Sequence, residues 1–238
     1  MQSMRAQWMI PILAYHRVGE PQGDHVPTVT PENFDRHLKF LSRFRYNVLN
    51  LEQFADHVLN QRPFPRKSVL ITFDDGYVET ATIAAPRLRR YGFPAVVFVA
   101  PAELEHPGFL NWTQVRELAD DSFRVGGHTM HHTFLPVVPA DRAEQELVES
   151  RRILEQRLGR PVDTMSYPVG GYSQSIQQIA KASGYRLAFT TNRGISKRLD
   201  DPLAVRRIKM TDRDTNPLVL LVKLSGYYDC FRRLEDPS

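Results

Sequence analysis

Short apolar runs alternate along this chain with amphipathic stretches, and little separates one from the next. Met9 to Tyr15, Tyr46 to Leu51, Val69 to Phe73, Ala95 to Val99, Phe123 to Val125, Thr164 to Tyr167, Leu187 to Thr191 and Val205 to Met210 read as strands. They are brief and rich in branched or aromatic side chains. Helical signals fall between them. Thr30-Pro31-Glu32 offers an N-cap hydroxyl and a first-turn proline, and Phe34, Leu38, Leu41 and Phe44 then recur at helical spacing. Leu51 to Leu59 is a short helix, followed by a loop at Arg62 to Arg66. Tyr77 to Tyr91 is a helix closed by Gly92, and Thr113 to Ala119 one capped by its own threonine. Ala140 to Leu158 is the longest helix, closed by Gly159 and Pro161. Ser175 to Ser183 ends at Gly184, and Pro217 to Leu224 begins a last helix. That last stretch is expected to cover the barrel rather than to contact a membrane or form a dimer seam.

Repeated strand–helix alternation predicts an α/β protein with a parallel sheet and crossover helices. No linker, repeat or low-complexity stretch interrupts it. A single domain over residues 1–238, closed or nearly closed into a barrel, fits the length better than two domains.

Composition narrows the function only slightly. With 42% hydrophobic and 24% charged residues, a sizeable core is available. The net charge of +4 is interleaved, which argues against a nucleic-acid partner. No segment is apolar for long enough to span a bilayer, and the N-terminal stretch lacks the features of a secretory leader. A soluble, cytoplasmic protein is expected, with a mature secreted form as the alternative. The one cysteine, Cys230, is read as structural.

The chemistry concentrates at strand ends. Val69 to Phe73 runs into Asp74-Asp75-Gly76, and about fifty residues later comes His128-Thr129-Met130-His131-His132. Taken singly, each cluster has ordinary readings as a turn, a helix cap or a surface pair. Together they supply what a catalytic divalent metal needs: one carboxylate and two imidazoles, an open position for water, and a second carboxylate to take its proton. The i, i+4 spacing of His128 and His132 predicts both on one face of a helical turn, with His131 a competing partner. His25 and His37 carry no such signal.

These clusters resemble those of the polysaccharide deacetylases, the NodB-like carbohydrate esterases. Thr72-Phe73-Asp74-Asp75-Gly76 matches the family's first motif in full, and His128, Thr129 and His132 match its His-Ser/Thr-x-x-His. The resemblance runs from about Ile10 to Met210. It implies a distorted (β/α) barrel, here with about seven parallel strands, that hydrolyses acetyl groups from sugars. Carried over, Asp74 is the general base, and Asp75, His128 and His132 are the metal ligands. The family's third motif, Arg-x-Pro-Tyr-Gly, stands here as Ser166-Tyr167-Pro168-Val169-Gly170. The turn and an oxyanion-binding amide near Val169 are kept, while the arginine that orients the base is missing. Arg207 is the candidate to replace it from another strand, against a surface or phosphate-facing role. The usual C-terminal Leu-x-His is missing too. Ala14-Tyr15-His16-Arg17-Val18 instead resembles a branch that includes the poly-N-acetylglucosamine deacetylases, which makes His16 the candidate general acid, against a structural or sugar-binding histidine.

The expected function is therefore metal-dependent removal of N-acetyl groups from a sugar or polysaccharide. The alternatives are an O-acetyl esterase, a small cyclic-amide hydrolase on the same fold, and a non-catalytic carbohydrate-binding protein. Zinc is the default ion, with cobalt, nickel and iron compatible with the same ligands. Trp112, Tyr167 and Tyr172 are either core side chains or candidates to stack on a sugar ring. Oligomeric state is not legible.

Overall fold

A computed structural model describes residues 10–23, 25–191 and 201–225. In chain order the elements are β1 (Ile12–Tyr15), β2 (Arg17–Val18), β3 (Thr28–Val29), α1 (Pro31–Arg43), β4 (Asn47–Val48), α2 (Leu51–Leu59) and β5 (Ser68–Phe73). There follow α3 (Ala85–Tyr91), β6 (Ala95–Val99), α4 (Trp112–Asp120), β7 (Phe123–Gly127), α5 (Ala140–Leu158) and β8 (Thr164–Ser166). The last are α6 (Gln174–Ala182), β9 (Leu187–Thr190), β10 (Val205–Arg206), β11 (Ile208–Lys209) and α7 (Pro217–Leu224). Cys230 lies outside the described residues.

The main sheet runs β10-β9-β8-β7-β6-β5-β1-β11, with β4 added beside β5. Its pairings are parallel. The two end strands are halves of one chain segment. Val205 and Arg206 pair with β9, then Ile208 and Lys209 pair with β1. The segment thus carries the sheet round to near closure as a distorted barrel of seven strand positions. The single strand expected over Val205 to Met210 is broken at Arg207, where it changes partners.

Strand alternation sorts the apolar side chains into two populations. Ile12, Leu70, Val96, Phe98, Leu187, Phe189 and Val205 face one another inside the barrel. Leu51, Phe54 and Val58 of α2 join this cluster, so α2 plugs the barrel's lower end. Leu13, Tyr15, Ile71, Phe73, Val97 and Val99 face outward under α1, α3 and α4. A third cluster packs α5 and α6 against β8 and β9. Of α7, Leu220 and Leu224 are buried while Leu218 and Leu221 stay exposed. The helix therefore covers the outer core with one face only. Among the described residues, no helix is long and apolar enough to cross a membrane.

Three local expectations change. The helix expected over Tyr77 to Tyr91 begins with a wide π turn at Thr80–Ala84, and regular α geometry starts only at Ala85. Pro86 lacks the amide that a regular turn needs there. Helix α4 is capped by Asn111, not Thr113: Asn111 and Gln114 exchange side-chain-to-backbone bonds in a capping box. Phe44 is exposed, so the apolar stripe of α1 ends at Leu41.

Candidate metal centre and active site

The carboxylate doublet lies where β5 stops. The Asp74 amide still bonds the Tyr15 carbonyl at 2.9 Å, so Asp74 keeps the strand register and its side chain follows that of Thr72 into the barrel. Asp75 and Gly76 then both adopt left-handed backbone, with φ of 70° and 78°. This reversal sends the second carboxylate in a different direction from the first. Gly76 is needed twice over: its φ disfavours a side chain, and a Cβ there would stand 2.9 Å from Val99.

The histidines arrive on the end of β7, but not on a helix. Residues 129–131 form a turn; Thr129 opens it and His132 follows it, and both are left-handed, with φ of 60° and 54°. The tight reversal, rather than the expected i, i+4 helical spacing, brings the two rings to 4.9 Å between centroids. His131 points away, with Nδ1 2.8 Å from Glu146 Oε1.

Asp75 meets both remaining imidazoles. Its Oδ1 lies 3.2 Å from His128 Nε2 and 3.2 Å from His132 Nε2. His128 Nδ1–H donates to the Ser166 carbonyl at 2.7 Å. In a neutral ring that leaves the Nε2 lone pair facing a carboxylate, an arrangement that needs a cation or a proton between them. Ligands about 2.0–2.2 Å from a shared ion stand about 3–3.5 Å apart, so the donor set fits a divalent metal. Burial raises Asp75, but its bonds with His128 and His132 outweigh burial and hold the carboxyl well below the ordinary range. The same Asp75 bond raises His132.

Asp74 is gripped by a different cation. Arg207 Nη1 donates to Asp74 Oδ1 at 2.7 Å and Nη2 to Oδ2 at 2.6 Å, a two-pronged bond inside the barrel. The guanidinium also donates to Ser166 Oγ at 2.6 Å and Thr72 Oγ1 at 3.1 Å, and it sits against the rings of Phe98 and Phe189. Burial raises Asp74, and the Arg207 charge and hydrogen bonds more than reverse it. Ser166 occupies the place of the missing motif arginine. Its small side chain leaves room for a guanidinium arriving from the strand opposite.

His16 follows β1 at the same mouth. Burial lowers its pKa, while the charges of Asp74 and Asp75 oppose that. Among the described residues its Nδ1 has no hydrogen-bond partner. Val169 is left-handed, with φ of 57°, in a single 3-10 turn between buried Pro168 and Gly170, and its side chain is 71% exposed. The aromatic candidates do not line the mouth freely. Tyr167 is buried, donates to the Leu203 carbonyl and stacks on Tyr172, and Trp112 packs under Arg157. A cavity of about 470 Å³ lies elsewhere, at the N-terminal strand ends, between α2 and residues such as Val125, Val162 and Leu187. It contains none of the site residues.

Two participants carried no role in the sequence reading. Ser166 was visible as a motif position without an assigned function. Glu146 could have been noticed as a carboxylate within the inward stripe of Ala143, Leu147, Ser150 and Leu154.

Comparison with known proteins gives the family. The polysaccharide deacetylase family profile matches residues 61–188, just over half of the chain. The chain belongs to the polysaccharide deacetylase family. The match includes Asp74, Asp75, His128, His132 and the Val169 turn, while His16 and Arg207 lie outside it. YxkH of Bacillus subtilis, whose name places it provisionally among polysaccharide deacetylases, is 28% identical over 202 residues, 85% of this chain and 71% of that protein. The poly-β-1,6-N-acetyl-D-glucosamine N-deacetylase of Staphylococcus aureus strain MRSA252 is 24% identical over 177 residues. That alignment covers 68% of this chain, which spans 61% of that relative's length. Among solved structures, the deacetylase PplD of Streptococcus pyogenes, in complex with acetate, superposes with a TM-score of 0.83. It is 27% identical, over 90% of this chain and 97% of that one. Membership of this family makes the chain a hydrolase of the deacetylase type.

Proposed function

We propose that this chain is a divalent-cation-dependent deacetylase that removes N-acetyl groups from amino sugars of a polysaccharide. The observation that carries the reading is Asp75 Oδ1 held 3.2 Å from each of two imidazole nitrogens, beside an Asp74 clamped by Arg207. Asp75, His128 and His132 would hold the ion, and zinc suits this N, N, O set, with cobalt, nickel and iron admitted by the same ligands. Such an ion polarises an acetyl carbonyl and makes a nearby water acidic.

The remaining roles belong to the chain. Asp74 takes the proton of the attacking water. Its two oxygens each give one lone pair to Arg207, and an ionised carboxylate keeps others free. Arg207 and Ser166 fix the orientation of Asp74 and keep it charged. The Val169 amide donates to the developing oxyanion. His16 gives a proton to the leaving amine. Its lowered pKa makes the protonated ring a stronger acid than free imidazole. The N-acetyl and polymer assignments draw support from the name of the staphylococcal relative.

The test begins with metal analysis of purified protein. Acetate release is then measured from N-acetylated β-1,6-glucosamine oligomers, chitooligosaccharides and O-acetylated xylan, with Asp74→Asn as control. Bound metal and chelator-sensitive acetate release from the amides, abolished in Asp74→Asn, is the expected result. Release from the ester alone, or equal rates with and without chelator, would overturn it.

A further inference from the structure

The turn between His128 and His132 does not hold itself. Left-handed Thr129 opens it and left-handed His132 follows it, and a β-branched residue is costly in that conformation. One internal bond helps, from the Thr133 amide to Thr129 Oγ1 at 2.9 Å. The Ala102 amide, from the segment after β6, donates to the Met130 carbonyl at 3.0 Å. Both amides inside the turn are held from α5. Glu146 projects from the helix's inward face with its side chain fully buried. Its Oε2 accepts the Met130 amide at 2.9 Å and the His131 amide at 2.9 Å. Its Oε1 accepts His131 Nδ1 at 2.8 Å and Arg142 Nη2 at 2.6 Å.

A buried carboxylate is destabilising unless its lone pairs are filled, and here four donors fill them. The arrangement is specific to the turn, because two of the donors are consecutive backbone amides between the paired imidazoles. The hydrogen bonds and ion pairs of Glu146 go to Met130, His131 and Arg142, and none goes to Asp75, His128 or His132. We infer that Glu146 is a positioning residue of this site: through the amides of Met130 and His131 it holds the left-handed turn that aims His132 Nε2 at Asp75. Its consequence for metal binding rests on the proposed ligand set. Its effect on the turn does not.

Four proteins test this: wild type, Glu146→Ala, Glu146→Gln and Leu147→Ala. Leu147 is buried beside Glu146 on α5 and serves as a control for general loss of stability. Zinc affinity is measured by competition with a chromogenic chelator. Glu146→Ala is expected to bind zinc about 10–100-fold more weakly, the usual loss when a group supporting the ligands is removed. Glu146→Gln keeps an amide oxygen for the two backbone N–H groups and recovers most of that loss. Leu147→Ala unfolds more easily yet keeps wild-type affinity. Undiminished affinity in Glu146→Ala, or an equal loss in Leu147→Ala, overturns the inference.

A metal-free readout separates it from the proposed function. In apoprotein, the Met130 and His131 amides exchange slowly in wild type and Glu146→Gln and quickly in Glu146→Ala. Unchanged protection in Glu146→Ala overturns the inference whether or not zinc binds. If wild type binds none of zinc, cobalt, nickel or iron but shows this exchange pattern, the proposed function fails and the holding of the turn stands.

Discussion

Arg207 grips Asp74 with two hydrogen bonds inside the barrel. It neutralises Asp74 inside an apolar barrel, where an unpaired carboxylate would not stay charged. Arg207→Ala is expected to lower the unfolding free energy by about 3–5 kcal/mol, the usual consequence of stripping one partner from a buried pair. Arg207→Lys keeps the charge but loses the two-pronged geometry. It should recover part of the stability and leave kcat depressed. Urea titration and initial rates check both, and a fully active Arg207→Ala would show that Asp74 needs no clamp. His16 makes a separate prediction. If it supplies the leaving-group proton, His16→Ala loses about 10²–10⁴ in kcat while KM and metal content stay near wild type. A matched rise in KM with kcat unchanged would assign it to sugar binding instead. At this scale the sequence was partly legible. Asp74, Asp75 and the histidines stand in recognisable strings. That Arg207 faces Asp74 depends on the barrel bringing residues 74 and 207 together, which no local pattern records.

The elements were most legible where propensity and packing agree. Leu51 to Leu59, Ala95 to Val99, Ala140 to Leu158 and Pro217 to Leu224 occur with the bounds that their apolar spacing predicts. The differences arise where side chains choose between partners. Thr30 precedes α1, but its hydroxyl bonds Asp212 and gives the helix no cap bond. Asn111 caps α4 because Gln114 returns the bond, a reciprocity that the isolated Thr113 lacks. Asn111→Ala is accordingly expected to cost about 1 kcal/mol of stability, measured by chemical denaturation, with zinc affinity unchanged. Thr113→Ala should cost clearly less, and the reverse order would refute the assignment of the cap. The His128–His132 turn shows the same rule more sharply. Helical spacing was the right clue to convergence and the wrong geometry, because a buried carboxylate on α5 pays for a turn that local preferences disfavour.

At the scale of the whole molecule, closure couples the termini of the described barrel. Residues after β11 fold back on α1, where His37 is buried between the Tyr15 hydroxyl and the Asp214 carbonyl. Burial lowers the pKa of His37. Asp214 and Asp212 oppose that shift, and Lys223 adds to it. The folded state therefore disfavours the charged ring. Above pH 6.5 both folded and unfolded His37 are neutral and stability is fully present. As pH falls below 6.5, the unfolded chain binds a proton first, and stability is lost down to the lower folded value. Thermal midpoints between pH 7.5 and 5 should fall more steeply for wild type than for His37→Gln. Parallel slopes would remove His37 as the cause. His37 looked ordinary in the sequence because a lone histidine on a helix face has no partner until Tyr15 and Asp214 arrive.

What the sequence determined by itself is what short-range physics governs. Apolar periodicity set the order of strands and helices, and with it the parallel barrel and the strand ends where Asp74, Asp75 and His128 emerge. What only the tertiary structure decided is which charges face each other. Arg207 reaches Asp74, and Glu146 reaches the turn at Met130 and His131, across chain separations that no repeat of 2 or 3.6 residues encodes. A buried charge is stable only beside its partner, and for Asp74 the closing of the barrel is what supplies one.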